Sequence, residues 1–328
     1  MSEYEVPPVL LLVFKRPETT QTVFNAIRAA KPKRLFVGAD GPRENRPDEA
    51  LKVQAVRKIV QQVDWDCKVQ YLFQEKNVGS KVAESTAISF FFEHVEEGII
   101  LEEDCLPDAS FFQYCAVLLE RYRHDARVMH ISGNNFLFDK KIGDGSYYFS
   151  QVPLCWGWAS WRRAWKLHDP DMRSYPEFKA QKRIDDIISD RHIRREYTRY
   201  YDECFKTGNA WDYPWSYTVM SNHGICISPN INLVANIGFG GDATTCANDS
   251  SLVANVTTGS MAEMVHPAFM VPHLEADKAV FYRFHPPRFI HFFAEFVRMF
   301  FPRPLYELGV RGYLRVQRWF FQRTTRQA

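Results

Sequence analysis

The sequence lacks the features that mark several common classes of protein. It has no uncharged apolar run of about 18 residues, the length that a membrane-spanning helix needs. No G-x-G-x-x-G follows its first predicted strand and no G-x-x-x-x-G-K-[ST] occurs, so nicotinamide and P-loop nucleotide binding lose their main support. Its seven cysteines form no C-x-x-C pair and no zinc-like spacing with histidine, so we expect reduced thiols in a cytoplasmic protein.

Charge is nearly balanced over the 328 residues, with 41 basic and 39 acidic side chains, but its distribution is uneven. Residues 281–328 hold nine Arg, two Glu and 14 of the 49 aromatic residues, which leaves residues 1–280 with a net charge of −5. A mildly acidic body argues against a nucleic-acid-binding face there. We therefore predict a catalytic or binding domain over 1–280 and a basic, aromatic helical tail over 281–328.

Residues 9–132 alternate short apolar runs with segments of helical periodicity. The predicted strands are 9–14, 34–39, 67–73, 98–102 and 128–132, separated by predicted helices at 19–30, 48–63, 80–94 and 109–122. Strands that are buried on both faces and separated by helices predict a mostly parallel, Rossmann-like sheet flanked by helices. Such an α/β sheet binds its ligands at the carboxyl ends of the strands.

The fourth predicted strand runs directly into three carboxylates, Glu102, Glu103 and Asp104. Alternating side-chain directions predict Glu102 and Asp104 on one side of the strand and Glu103 on the other. Three adjacent charges at the end of a buried strand need compensation, which Mg²⁺, Mn²⁺ or hydrogen-bond donors can supply. A solvated acidic turn is the alternative explanation.

An ordered set of segments between about residue 9 and residue 245 resembles a known family. The segments are LLVFKRP, VGADGPR, NVGSKVA, GIILEEDCLPDASFF, CWGWASWRRAW and AWDYPW. Together they resemble nucleotide-sugar transferases of GT-A fold, in particular bacterial relatives of the N-acetylglucosaminyltransferase I type. The resemblance implies a nucleotide-binding part at about 9–132, an acceptor part at about 133–280, and metal-dependent, inverting transfer of a sugar from a nucleoside-diphosphate donor, with UDP the expected nucleotide.

The resemblance also implies roles for residues at the strand ends. Asp104 matches the ligand of a Mn²⁺ or Mg²⁺ ion that bridges the donor diphosphate. Glu103 matches the ribose contact, although the family has the shorter Asp there, and Glu102 would support the site.

At the first two strand ends, Phe14 and Arg16 lie where that family meets the base and phosphate, although Arg16 alternatively caps the sheet edge. Asp40 matches the acceptor of a hydrogen bond from uracil, or is a plain turn residue.

Tryptophan is concentrated in the segment from Cys155 to Trp165, which contains four of the eight. Indole rings stack on the apolar face of a sugar ring, but they also fill protein cores. Trp156 and Trp158 flank a flexible glycine and are the predicted acceptor-binding residues. Trp161 and Trp165 lie at helical spacing and are predicted to belong to the core.

A base is needed to remove the proton of the acceptor hydroxyl during transfer. The resemblance assigns this role to Asp212, next to Trp211, which we predict to contact the acceptor. Asp242 is the second candidate, in a glycine-rich stretch that is either a mobile lid or a surface turn.

Other functions stay open at this point. A catalytically silent module of GT-A type that binds a nucleotide sugar or glycan fits the departure at Glu103. A metal-dependent phosphohydrolase would need further ligands, for which the His and Asp spacing is unsuitable.

The acceptor is expected to be a glycan or lipid-linked glycan. The basic tail either binds an anionic membrane surface, which would place the protein at the inner face of a membrane, or packs on the body.

Overall fold

The computed structural model of the protein describes residues 4–137, 140–208, 210–239 and 256–285. The strands in these ranges are β1 (Val9–Val13), β2 (Arg34–Ala39), β3 (Lys68–Phe73), β4 (Glu97–Glu102), β5 (Cys105–Pro107), β6 (Val128–Ser132), β7 (Tyr147–Ser150), β8 (Trp158–Trp161), β9 (Ile225–Pro229) and β10 (Val234–Asn236). The helices are α1 (Pro17–Ala30), α2 (Pro47–Val60), α3 (Ser80–His94), α4 (Ala109–Tyr122), α5 (Arg162–Trp165), α6 (Tyr175–Ala180), α7 (Arg191–Thr207), α8 (Asp212–Ser221) and α9 (Leu274–Phe284), with a 3₁₀ turn at Arg183–Asp186.

Eight strands form one mixed sheet in the order β3-β2-β1-β4-β8-β6-β9-β7. Strands β3, β2, β1 and β4 are parallel neighbours, as are β6 and β9, whereas β8 runs antiparallel between β4 and β6. The predicted α/β class, a mostly parallel sheet flanked by helices, is confirmed. Because β1, β2, β3 and β4 point the same way, their carboxyl ends meet at one edge of the sheet.

The sheet separates two apolar layers, and alternation along β1 shows why. Leu11 packs among residues of α1, α2 and α4 on one face, whereas Leu10 and Leu12 pack against Phe91 and Phe92 of α3 on the other. All of these side chains are buried. Strand residues buried on both faces make the near-continuous apolar runs by which the sequence predicted these strands.

The tryptophan-rich segment supplies β8. Trp158 packs on the α3 face of the sheet and Trp161 on the opposite face. Gly157 precedes β8 with a φ of +64°, and a Cβ there would come within 2.8 Å of Val234, so both backbone conformation and space favour glycine. Trp161 and Trp165 are 1% and 6% exposed, which confirms their predicted place in the core.

The chain divides into two compact units, Met1–Leu274 and Glu275–Ala328. The predicted boundary at residue 280 and the division of the body at about residue 132 stay predictions. The tail helices predicted beyond α9 lie outside the described residues. Within the described part of the chain, no helix is both long enough and apolar enough to cross a bilayer.

Candidate functional site

The carboxyl ends of β1 and β4 bring a cation and two carboxylates together. Asp104 Oδ2 accepts a 2.6 Å hydrogen bond from Nη1 of Arg16, and Arg16 Nε lies 3.9 Å from Oε1 of Glu103. Glu103 Oε2 accepts a 2.7 Å hydrogen bond from the backbone N–H of Phe14. We call Arg16, Glu103 and Asp104 the ion-pair cluster. The sequence predicted each of its members, and the fold places them side by side.

Glu103 is buried, and it lies on the α1 side of β4. Burial raises the pKa of its carboxyl, while the N–H of Phe14 and the charge of Arg16 oppose that rise. Asp104 pairs with Arg16 from the turn at residues 103–104, between β4 and β5, where the side-chain alternation expected of a strand no longer applies.

The backbone at Gly238 covers the ion-pair cluster. Pairing of β5 with β10 places Asn236 opposite Cys105, and the next N–H, that of Ile237, donates to the carbonyl of Asp104 at 2.8 Å. A Cβ at Gly238 would overlap Oδ2 of Asp104 and lie 2.5 Å from Nη1 of Arg16. This close approach favours glycine at position 238, because any side chain there would displace Arg16 and Asp104.

The Mn²⁺ or Mg²⁺ ion that the sequence predicts at Asp104 stays a prediction, and the described residues offer it few protein ligands. Oδ2 of Asp104 already pairs with Arg16 and is covered by Gly238. Among the described residues, no three His, Cys, Asp or Glu side chains are placed to hold a metal together. An ion ligated by Asp104 would have to displace Arg16 and take most of its ligands from substrate and water.

Asp40, at the end of β2, organises the neighbouring loop. Its Oδ1 accepts hydrogen bonds from the N–H groups of Gly41 and Val78, and its Oδ2 accepts one from the side chain of Asn77. These contacts tie the end of β2 to the loop that begins α3. The structure supports the role of a turn residue, and a contact of Asp40 with uracil stays a prediction.

Phe14 lies at the same edge among charged groups that the sequence did not single out. Lys15 Nζ is 5.6 Å and the Arg43 guanidinium 6.0 Å from the centre of its ring. Both cations hydrogen-bond to the buried Glu49. The hydrogen bonds from Arg43, followed by those from Lys15, lower the pKa of Glu49 to about 2 against the opposing effect of burial. A half-buried aromatic ring beside cations can accept a nucleobase and its phosphates.

A second group of carboxylates lies on the α3 face of the sheet, and we call Glu84, Glu102 and Asp212 the acid cluster. They come from α3, the end of β4 and the start of α8. Burial, followed by the charges of Glu84, Asp104 and Asp212, raises the pKa of Glu102 well above its usual value. Within the described residues, none of the three forms an ion pair with Lys, Arg or His.

Glu84 is the member of the acid cluster that the sequence did not indicate. Burial, then the charges of Asp212 and Asp104, raise its pKa to about 8, while a hydrogen bond from Trp211 opposes this. Its Oε2 is shut off from solvent and has no hydrogen-bond partner in the described part of the chain. Burial, followed by the charges of Asp212 and Glu102, also raises the pKa of the Cys155 thiol.

Asp212 is the first residue of α8, and its Oδ1 accepts a 3.0 Å hydrogen bond from the N–H of Tyr213. Its side chain is exposed, so a substrate can reach it. Protein around it nevertheless displaces enough water to raise the pKa of the carboxyl, against hydrogen bonds from the backbone. An accessible carboxylate with a raised pKa is suited to accept a proton near neutral pH.

The structure corrects the prediction for Trp158. This ring is fully buried between His130, at a centroid distance of 5.0 Å, and Trp211, at 5.8 Å, with both rings stacked on it. No face of Trp158 is left for an acceptor sugar, because strand β8 directs the side chain into the core. Trp211 is itself 6% exposed.

Trp156 differs, because the turn at Gly157 takes it out of β8. It is half-buried and packs edge-on against Phe136 and Phe239. Acceptor contacts by Trp156 and Trp211 stay predictions. Asp242, the second candidate base, lies outside the described residues.

Glu49, which is buried, and Glu84, which is half-buried, were not indicated by the sequence, yet they share one signal. Glu84 lies on the stripe of α3 that also carries Ala87, Ile88 and Phe91, and Glu49 lies on the stripe of α2 that carries the buried valines. The spacing is i, i+3, i+4 and i+7 in α3, which is that of a core-facing side. A carboxylate at such a position is a candidate for a site or a buried ion pair.

No protein-family model and no curated protein sequence matches the chain. Similar solved structures include HddC from Yersinia pseudotuberculosis, with 8% identity, a TM-score of 0.28 and coverage of 48% of this chain and 77% of the other. An apo UDP-glucose pyrophosphorylase has 9% identity, a TM-score of 0.33 and coverage of 67% and 90%. Mouse xyloside xylosyltransferase 1 has 10% identity, a TM-score of 0.31 and coverage of 66% and 81%. At these TM-scores the likeness carries no conclusion about activity, so the case for function depends on the site.

Proposed function

We propose that this chain is a glycosyltransferase that moves a sugar from a nucleoside-diphosphate donor, with UDP the expected nucleotide, to a hydroxyl group of a glycan or lipid-linked glycan. The observation that carries the proposal is the pair of clusters at the end of β4. On one face, Glu103 joins the ion-pair cluster. On the other, Glu102 joins the acid cluster that contains the exposed Asp212.

The donor would bind at the edge formed by β1, β2 and β4. Phe14 would offer its ring to the base, and Glu103 would accept hydrogen bonds from ribose hydroxyls. Arg16 is the nearest cation to Asp104 and can turn from that carboxylate to the diphosphate, since a guanidinium binds phosphate oxygens in a bidentate manner. Its charge would then stabilise the leaving nucleoside diphosphate.

The acceptor would approach from the side of Asp212. As the acceptor oxygen forms its bond to the anomeric carbon, the bond from that carbon to the diphosphate oxygen breaks, and the acceptor proton passes to Asp212. Attack from the side opposite the leaving group inverts the anomeric centre.

Metal dependence stays a prediction from the sequence. If Asp104 does hold Mn²⁺ or Mg²⁺ with the donor bound, the ion would supply further positive charge to the diphosphate. Peripheral binding of the tail to a membrane also stays a prediction.

A thermal-shift panel of nucleoside diphosphates, each with Mn²⁺ or with EDTA, tests the proposal on the full chain. We expect UDP to raise the Tm of the wild type, and we expect Asp104→Asn to weaken that rise. Asp64→Asn is the matched control, because Asp64 forms an exposed ion pair with Arg28. Failure of every nucleoside diphosphate to stabilise the wild type would refute the proposal. Stabilisation without release of UDP from UDP-sugars, with or without glycan acceptors, would favour the catalytically silent module.

A further inference from the structure

Asn134 is a buried side chain whose polar atoms have no partner in the part of the chain that the structure describes. It lies in the loop at residues 133–137, directly after β6, and is 1% exposed. Within the described residues, neither Oδ1 nor Nδ2 of its carboxamide forms a hydrogen bond, and both atoms are closed to solvent. Burying an amide without a hydrogen bond costs free energy, so packing alone does not explain asparagine at this position.

The next residue, Asn135, is equally buried, but the fold uses its polar groups. Its Nδ2 donates to the carbonyl of Pro229 at 2.7 Å, and its Oδ1 accepts from the N–H of Leu137 at 2.6 Å. Its backbone N–H donates to Oδ1 of Asn232 at 2.9 Å. These contacts fix the loop without any hydrogen bond from the carboxamide of Asn134.

Strand pairing places Asn134 beside Trp156, at the edge of the sheet where ligands bind. Because β8 runs antiparallel to both β4 and β6, β6 is parallel to β4 and ends at the same edge. The N–H of Gly133 donates to the carbonyl of Gly157 at 2.7 Å, which continues the pairing of β6 with β8. The next pair in this register is Asn134 with Trp156. The ring of Phe136 also lies edge-on to that of Trp156, with the ring centres 5.1 Å apart.

The ring of Trp156 is in turn close to the ion-pair cluster. Phe239 packs edge-on against it at a centre distance of 6.0 Å. The preceding residue, Gly238, covers the ion pair of Arg16 with Asp104. Two consecutive residues therefore connect the proposed diphosphate position to the indole ring, and a sugar on that ring would lie near the bond that is transferred.

We propose that Asn134 is a specificity-determining residue whose carboxamide exchanges hydrogen bonds with the hydroxyl groups of a pyranose that packs on Trp156. A carboxamide offers two N–H donors and one carbonyl acceptor, and sugar hydroxyls both donate and accept. An indole ring packs on the apolar face of such a sugar. The proposal rests on the glycosyltransferase function proposed above, and the pyranose belongs either to the donor or to the acceptor. Because the carboxamide is closed to solvent, the sugar must move the side chains over it on binding.

Thermal unfolding tests the unpartnered carboxamide without any ligand. Asn134→Leu keeps the branch at Cγ and removes both polar atoms, so its Tm should lie about 2–6 °C above that of the wild type. Asn135→Leu is the matched control, because it removes the hydrogen bonds to Pro229 and Leu137, and its Tm should fall by about 2–6 °C. The smaller Asn134→Ala cannot overpack the site. If both Asn134 variants melt below the wild type, the carboxamide contributes to folding and the proposal is overturned.

Sugar binding is tested by thermal shifts that use UDP as the reference ligand. One arm adds UDP-glucose, UDP-galactose or UDP-N-acetylglucosamine, and the other adds cellobiose, lactose or chitobiose together with UDP. We expect a sugar of one arm to raise the wild-type Tm above that with UDP alone. In Asn134→Leu and Asn134→Ala this additional shift should disappear, as expected for sugar binding weakened about tenfold or more, while the shift caused by UDP stays the same. The arm that responds identifies the pyranose as donor or acceptor.

The outcomes separate this proposal from the function on which it rests. If UDP stabilises the wild type and the additional shift persists in both Asn134 variants, the role of Asn134 is overturned while the proposed function stands. The same holds if the wild type responds to UDP but to no sugar of either arm. If UDP itself does not stabilise the wild type, the proposed function is refuted, and the sugar-binding role is refuted with it.

Discussion

The two carboxylate clusters at the end of β4 lie on opposite faces of the same strand, and they differ in whether a cation compensates their negative charge. In the ion-pair cluster, Arg16 and the N–H of Phe14 compensate Asp104 and Glu103. In the acid cluster, the structure describes no cation paired with Glu84, Glu102 or Asp212, and the pKa of each is raised. The first arrangement stabilises negative charge beside a cation, whereas the second raises the pKa of its carboxyls without a paired cation, which suits proton transfer.

The largest effect should come from removing the accessible member of the acid cluster. Asp212→Asn keeps the shape of the side chain and its contact with Tyr213 but cannot accept a proton. We expect transfer, measured as UDP release with an acceptor glycan, to fall by about 10²–10⁴-fold while the UDP-induced Tm shift stays unchanged. If Asp212→Asn keeps more than a tenth of the wild-type rate, the base lies elsewhere, and Asp242→Asn is the variant to measure next.

Removing the cation of the ion-pair cluster should cost stability as well as donor binding. Arg16→Gln leaves Glu103 and Asp104 uncompensated in a largely buried site, and we expect a loss of about 2–3 kcal/mol in the free energy of unfolding. The double variant Arg16→Gln with Asp104→Asn should recover about 1 kcal/mol of that loss, because the stranded charge is gone. Urea unfolding measures both. No recovery in the double variant would show that the pair is not coupled.

The two missed glutamates should respond to pH in opposite directions. Glu49 has a folded pKa of about 2, below its ordinary value of 4.5, so its contribution to stability is present above pH 4.5 and is lost as pH falls toward 2. Glu84 has a folded pKa of about 8, above 4.5, so the folded state binds more protons between these values and loses stability as pH rises from about 5 to 8.

The comparison of variants isolates each effect. Relative to the wild type, the Tm of Glu84→Gln should rise as pH rises from 5 to 8. The Tm of Glu49→Gln should lie below that of the wild type above pH 4.5 and approach it as pH falls below 4.5. Differential scanning calorimetry across pH 3–8 measures both trends. Parallel shifts of the two variants with pH would contradict the contrast between a compensated and an uncompensated carboxylate.

The smallest expected effect is a steric one. In Gly238→Ala, the new Cβ must push apart Arg16 and Asp104 without changing any charge. We expect the affinity for UDP, measured by calorimetric titration, to fall by roughly tenfold, with a loss of about 1 kcal/mol in stability. Gly143→Ala is a poor control because of its positive φ, whereas Gly259→Ala, whose Cβ would meet only the exposed side chain of Ile231, imposes a similar steric change away from the site. Unchanged UDP affinity in Gly238→Ala would place the donor away from the ion-pair cluster.

The sequence predicted the strands of the parallel part of the sheet well, because residues buried on both faces form apolar runs that end in turn residues. It also predicted that Arg16, Glu103 and Asp104 lie at one edge, since the carboxyl ends of parallel strands meet there. It failed for Trp158, because the choice between a binding face and a core depends on the direction that β8 gives the side chain. It failed for Glu84, whose partners on β4 and α8 are distant in sequence.

By itself, the sequence determined the alternation of strands and helices, the acidic end of β4 and the basic composition of residues 281–328, because each depends on local pattern. The tertiary structure alone decided which carboxylates are compensated by a cation and which have a raised pKa without one. That decision depends on burial and on charges from separate elements, as where the charge of Asp212, the first residue of α8, helps to raise the pKa of Glu102 at the end of β4. Long-range electrostatics is a property of the assembled fold, and no local pattern in the chain encodes it.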